Sequence, residues 1–342
     1  MGDNGSSDQF AQGALATTPV STIPAGAEAA MVGVDVAHTT SRPNSKVTGL
    51  VVLADGHIVT TADALADAAS VTVTLADGTS MPAVVVGFDT STDIGVLDIE
   101  GDAHPTIAIA SPAELAESGS ALVVERNATT PDLSVTSGDV AEITVPLEIA
   151  GGWTMHGMIA SKVAQAPLSE ASVLCAGSGS VVGLVTNRNR ATATGDPVTA
   201  PPNSGTTRDA ANTRTVFATP ISYALHIARE IIATGTANHG WIGVLGIDRP
   251  FSDRSGSGAG ASTGGSVITS VTDDSPAQRS GLQPGDIIVR VLDSPIESAS
   301  SLVVALRELD PGDHAIVVYE RDGVEQSADV TLADRPATVD AR

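Results

Sequence analysis

Residues 47–60, VTGLVVLADGHIVT, decide the fold class. Two runs rich in Val, Leu and Ile flank the turn pair Asp55-Gly56, which is the pattern of a β-hairpin. It recurs downstream, where Val71-Thr72-Val73-Thr74-Leu75 alternates apolar and polar residues, Asp77-Gly78 turns the chain, and Met81-Pro82-Ala83-Val84-Val85-Val86 returns. Similar short runs continue to about Leu184, so the first two-thirds of the chain reads as mainly β.

Composition agrees. With 342 residues and 42% hydrophobic content the chain can fill two or three domain cores, and 34 Gly, 19 Pro and 2% aromatics leave those cores to Val, Ile, Leu and Ala. A net charge of -23 repels phosphate backbones and anionic lipid, so nucleic acid is not an expected partner. Cys175 is the single cysteine; it excludes a disulfide framework and a thiolate zinc site, and its apolar neighbours mark it as a small buried residue. No run approaches 18 apolar residues, and the start of the chain lacks the basic-then-apolar order of a signal peptide.

Residues 1–28 are small and polar without apolar period and are expected to form a disordered tail. Residues 188–212 carry Pro, Gly, Asn and Thr and read as a long loop. Helical spacing appears at Ile221, Leu225, Ala228, Ile231 and Ile232, between Pro220 and Gly235, predicting a helix over 221–234. A second unit follows over 239–334, interrupted by the Gly/Ser-rich stretch 255–265, and residues 335–342 form a closing tail.

Three spans together resemble the HtrA family of trypsin-like proteases. Gly56-His57-Ile58-Val59-Thr60-Thr61-Ala62-Asp63-Ala64-Leu65 is similar to the family's DGYIVTNNHVV, and Asp89-Thr90-Ser91-Thr92-Asp93-Ile94-Gly95-Val96-Leu97 to its DPxTDLAVL. Val135-Thr136-Ser137-Gly138, Gly179-Ser180-Val181-Val182-Gly183-Leu184 and Phe217-Ala218-Thr219-Pro220 resemble VTSG, GxVIGI and FAIP. The resemblance implies a double six-stranded β-barrel over 29–238, with the first barrel over about 29–110 and the second over about 111–220, followed by the helix and a C-terminal PDZ domain of α+β type.

The family's chemistry uses a serine activated by a histidine that an aspartate orients, with backbone N–H groups holding the oxyanion. Asp93 falls on the aspartate position. Asp63 falls on the histidine position, and a carboxylate is a far weaker base than imidazole at neutral pH. Glu170 falls on the serine position, and Leu168 on the glycine that completes the oxyanion hole. The expectation is therefore a degenerate triad and a protein that is not an enzyme, binding polypeptides as an envelope sensor, adaptor or scaffold. Two alternatives stand beside it. One is an active or residually active endopeptidase with a rearranged site, using Ser169 or Ser172 with a histidine such as His156; the other is a structural envelope protein without a peptide ligand.

Three carboxylates at one site need compensation, and Lys162, where the family's TDA segment carries an aspartate, is the expected salt-bridge partner. His57 sits at the family's tyrosine position and is not the base. The other histidines, His226 among them, show no metal-like pairing, so no metal and no cofactor are expected.

Residues 240–332 resemble the HtrA-type PDZ domain through Gly240-Trp241-Ile242-Gly243-Val244 and Ser275-Pro276-Ala277-Gln278-Arg279-Ser280-Gly281-Leu282-Gln283-Pro284-Gly285-Asp286-Ile287-Ile288. The resemblance implies that N–H groups of Trp241, Ile242, Gly243 and Val244 take a peptide's terminal carboxylate. Leu302 and Leu306, on a helix beginning near Ser298, would form the other wall, favouring polypeptides with hydrophobic C-termini. It also implies an extracytoplasmic setting, commonly through an N-terminal membrane anchor that these residues lack. A homo-oligomer is compatible with the family, whose trimer contacts use N-terminal aromatics; Phe10 is the one candidate here.

Overall fold

The Asp55-Gly56 hairpin forms, with β2 (Ser45–Val51) antiparallel to β3 (His57–Thr60) through Leu50 opposite Val59. The computed structural model describes residues 23, 25–39, 42–110, 119–149, 153–164, 171–186, 213–249 and 264–334. Joining the hairpin are β1 (Met31–His38), β4 (Ala68–Thr74), β5 (Ser80–Asp89) and β6 (Ile94–Ile99), which close a barrel in the order β1-β2-β3-β6-β5-β4. Inward residues at alternate positions, among them Val34, Val36, Val47, Val71 and Val73, fill it. The second pair of runs also forms its hairpin, with Val71 opposite Ala83 and Thr74 opposite Ser80.

A second closed barrel is built from β7 (Ser120–Arg126), β8 (Leu133–Ile149), β9 (Trp153–Ala164), β10 (Ser172–Ala176), β11 (Val181–Thr186) and β12 (Thr213–Pro220), in the order β10-β11-β12-β9-β8-β7. Cys175 is wholly buried in β10, and burial pushes its thiol up to about 12, so it packs as a hydrophobe. The mainly β reading with two barrels holds.

Residues 1–22 and 24, most of the expected tail, lie outside the described residues, as do the 188–212 stretch and residues 255–263. The described residues nevertheless begin before Ala29. Ala25–Ala30 is a short helix, α1, with Ala27 buried. The Arg126 guanidinium donates to Glu28 O at 2.7 Å and to Pro131 O, tying α1 to the second barrel.

Helix α2 (Ala62–Leu65) is one turn between β3 and β4, and α3 covers Ile221–Thr234. Pro220 precedes α3 and Gly235, at φ 82°, ends it by donating its N–H to Ile231 O. Its apolar face, with Ile221, Ala224, Ile227, Ala228 and Ile231, packs into a core shared with both barrels.

The C-terminal unit has a sheet ordered β14-β15-β16-β18-β19, from β14 (Val244–Asp248), β15 (Ser266–Val271), β16 (Ile287–Val291), β18 (His314–Arg321) and β19 (Val324–Thr331). The two-residue strand β17 (Ser294–Pro295) pairs with β16, and β13 (Gly240–Trp241) pairs with β20 (Ala333–Asp334). Its helices are α4 (Pro276–Arg279), N-capped by Ser275, and α5 (Ala299–Arg307), opened by a capping box of Ser298 and Ser301.

The two units touch along α5. Ser300 hydrogen-bonds His156 Nδ1 at 2.9 Å, and Val304 lies over Gly157, where an added Cβ would stand 2.3 Å from a Val304 methyl. A second tie joins the β5–β6 loop to the linker after α3: His239 Nε2 donates to Asp89 Oδ2 at 2.9 Å. Asp89 also accepts from the backbone N–H groups of Ser91 and Thr92 and from both their hydroxyls. Burial acts to raise this carboxyl's pKa, but His239, Thr92 and Ser91 together hold it well below the usual carboxylate range. Its stabilising contribution is therefore present above the unfolded value of about 3.9 and is lost as pH falls through the depressed folded value. Asp89→Ala, which strands these donors, is expected to lower stability by about 2–4 kcal/mol in urea unfolding near neutral pH.

Candidate functional site

The β5–β6 loop carries Asp93 into the cleft between the barrels. Its backbone is left-handed at φ 58°, a conformation aspartate tolerates better than bulkier residues, and its side chain is 2% exposed. Oδ1 accepts the Asp63 N–H at 2.9 Å, and Oδ2 accepts the Thr186 hydroxyl at 2.5 Å from the second barrel. The Ala62 N–H bonds Asp93 O at 3.2 Å, so α2 is pinned to the aspartate by two consecutive amides. Thr219 Oγ1 adds a bond to Thr92 O at 3.4 Å. Thr186 was not singled out in the sequence; its place beside Asp93 depends on the packing of two barrels.

Asp63 is the second residue of α2 and turns its carboxylate outward, with the side chain about half exposed. Arg42 meets it in a two-pronged contact, Nη2 to Asp63 Oδ2 and Nη1 to Asp63 O, each at 2.9 Å. The compensating cation at Asp63 is thus Arg42, not the expected Lys162. Lys162 is exposed on β9, opposite Asp139 on one side and Thr215 on the other. Glu170, Ser169 and Leu168 lie outside the described residues, so the serine and oxyanion positions receive no geometry; the chain re-enters at Ala171, whose carbonyl accepts from Thr48 N at 3.2 Å.

Of the residues considered for a rearranged site, Ser172 is fully buried in β10 and donates to Glu125 Oε1 at 2.8 Å, while His156 faces Ser300 on α5. Neither is presented to the cleft beside Asp93. Ser45 Oγ does lie 2.9 Å from His38 Nε2, with Nδ1 bonded to Ala66 O, but Ser45 is 1% exposed and beyond a substrate's reach. His57 bonds Asp55 Oδ1 at 2.7 Å within the hairpin turn.

In the C-terminal unit Gly243 has φ 85°, and an added Cβ would stand 2.2 Å from Ser275 Cβ, so both backbone and space demand glycine. Its carbonyl accepts from Thr272 N and that of Ile242 from Ala277 N, each at 2.8 Å. Beyond this loop β14 pairs, among the described residues, on one side only, with β15, leaving an edge with Leu245 and Ile247 exposed. Leu302 and Leu306 are 3% and 7% exposed and lie in the core with Ile242 and Ile268.

One grouping was not singled out in the sequence. His226 and Glu230 stand one helical turn apart on α3, and Asp310 approaches from the turn after α5, with a ligand atom of each within 4.8 Å of the others. An i, i+4 spacing of His and Glu on a predicted helix was the signal available in the sequence.

Residues 47–184 match the trypsin-like peptidase domain family and residues 243–332 match the PDZ domain family. The chain carries a trypsin-like peptidase domain followed by a PDZ domain. It is 28% identical to a probable periplasmic serine endoprotease, DegP-like, of Halomonas elongata, and equally to one of Pseudomonas putida, over 84% of its length in both. The chain spans 56% of the length of these relatives. Among solved structures, the HtrA-type protease AlgW with a tripeptide superposes at a TM-score of 0.65 and 23% identity, over 91% of this chain and 96% of that one. A serine endoprotease from Yersinia pestis gives 0.55 and 20%, over 91% and 96%. These likenesses show the shared fold.

The relatives overturn one expectation. They are named as serine endoproteases, which points to an enzyme and not to the inactive homologue inferred from Asp63, Glu170 and Leu168. That inference judged the site by motif positions alone, although the Asp93 end of the site is assembled. Their periplasmic naming agrees with the extracytoplasmic setting that the resemblance implies. Among the described residues no helix is long and apolar enough to cross a membrane.

Thr186→Val keeps the shape and removes the donor to Asp93. It is expected to cost about 1.5–3 kcal/mol in chemical unfolding, whereas Ser178→Ala, on an exposed turn, is expected to cost less than about 0.5 kcal/mol.

Proposed function

We propose that this chain is an HtrA-type serine endopeptidase working slowly from a rearranged site, with its PDZ domain capturing polypeptide C-termini. The observation that carries this reading is the buried Asp93 carboxylate, still bonded to Thr186 and to the amide of the residue in the base position. A buried carboxylate with oriented donors is costly to keep, and here it fixes the backbone from which residue 63 projects.

In this reading Ser169 is the nucleophile, attacking the scissile carbonyl, and the Asp63 carboxylate takes its proton and returns it to the leaving amine. Arg42 holds the Asp63 carboxylate outward, so the transfer requires that pair to open. A carboxylate in place of imidazole gives a weak base, so turnover is expected about 10²–10⁴-fold below that of a histidine-based site. Incubation of the full chain with casein, followed by mass spectrometry, is expected to show slow internal cleavage that Ser169→Ala abolishes and Asp63→Asn reduces. A serine-directed fluorophosphonate is expected to label Ser169. No cleavage above the buffer control, or cleavage unchanged in Ser169→Ala, rejects the reading.

Peptide capture rests on the Gly243 loop and the open β14 edge, which suit addition of an extended peptide as a further strand. Relatives solved with a tripeptide and a decapeptide support it. Hydrophobic C-terminal peptides are expected to bind the full chain in fluorescence anisotropy. Gly243→Trp is expected to remove that binding and Leu245→Glu, on the exposed edge, to weaken it at least about tenfold without loss of folded structure. Equal affinity in wild type and Leu245→Glu places the peptide elsewhere.

A further inference from the structure

The contact between the two domains holds a set of side chains that neither proteolysis nor peptide capture uses. Helix α3 presents His226 and Glu230 on one face, their Nε2 and Oε1 atoms 3.4 Å apart. Both atoms are shielded from solvent and, apart from facing each other as an ion pair, neither has a hydrogen-bond partner among the described residues. Asp310, from the turn that follows α5 in the PDZ domain, closes the group, with one ligand atom from each residue lying within 4.8 Å of the others. Supporting bonds hold the set in place. The other Glu230 oxygen accepts the Asn238 N–H at 2.9 Å, and the Asp310 N–H donates to Asp313 Oδ2 at 3.0 Å.

We infer that His226, Glu230 and Asp310 form a divalent-cation site of the zinc class that clamps the PDZ domain to the trypsin-like domain.

The ligand set is the first reason. One imidazole nitrogen and two carboxylates suit zinc, leaving the remaining position to water, whereas magnesium and calcium favour all-oxygen sets. Charge is the second. Two carboxylates beside each other repel, and two negative charges match one divalent ion. Reach is the third. Bonds of about 2.0–2.1 Å place tetrahedral ligands roughly 3.3 Å apart, so the group must contract slightly. The His226–Glu230 edge already has this span, and Asp310, exposed on a turn, is the residue free to move inward.

The location gives the consequence. Two ligands belong to the helix that completes the trypsin-like domain and one to the PDZ domain, so the bound ion resists separation of the domains. This inference does not depend on the proteolytic reading.

Isothermal titration of the chelator-treated full chain with zinc chloride is expected to show one strong site per chain, and magnesium chloride none. His226→Ala and Asp310→Ala are each expected to weaken zinc binding at least about tenfold. His314→Ala, which removes the exposed pair with Asp329, is expected to leave it unchanged. Asp310 is exposed, so its variant keeps the fold, and circular dichroism verifies this. Zinc is expected to raise the Tm of the wild type and not that of Asp310→Ala. Absence of zinc binding, or wild-type affinity in both ligand variants, overturns the site; binding with the same Tm shift in wild type and Asp310→Ala overturns the clamp.

Discussion

The cleft depends on a single buried carboxylate. Asp93 receives one hydrogen bond from α2 of the first barrel and one from Thr186 of the second, at 2% exposure. Such a charge is tolerated only where its oxygens are satisfied, so the loop from Asp89 to Asp93, the start of α2 and the end of β11 must all hold their places. Asp89 does the same for the loop itself, accepting from Ser91, Thr92 and His239. Two carboxylates four residues apart on one short segment thereby couple both barrels to the linker that leads into the PDZ domain.

Beside this anchor the Asp63 amide bonds Asp93 while Arg42 draws the Asp63 side chain outward. In a chain of net charge -23, local pairing of this kind lets a further carboxylate stand near a buried one. The placement of Arg42 was not legible because it lies 21 residues before Asp63, in the segment between β1 and β2, and nothing in its local pattern points to the cleft. Lys162 was the more visible cation in the motif alignment, yet β9 presents it to solvent.

Helix α5 divides its faces between two tasks. Leu302 and Leu306 enter the PDZ core, while Ser300 and Val304 meet the β8–β9 hairpin of the trypsin-like domain. The spacing of three to four residues was enough to predict an apolar inward face. It could not reveal that a second face is also covered, because the partner surface, at His156 and Gly157, is set by the length of β8 and β9 beyond their barrel. The His226–Glu230–Asp310 group arises at the same junction.

The sequence by itself determined the mainly β character, both hairpins at their Asp-Gly turns, the 221–234 helix with its glycine stop, and the trypsin-like and PDZ units. These are written in local periodicity and turn chemistry, which act over a few residues. It also marked Asp93, through a motif. Only the tertiary structure decided which groups meet: Thr186 with Asp93, Arg42 with Asp63, His239 with Asp89, and Asp310 with His226 and Glu230. Hydrogen bonds and ion pairs depend on positions within about an ångström, and chain segments 21 to 150 residues apart reach such positions only when the barrels and domains have packed.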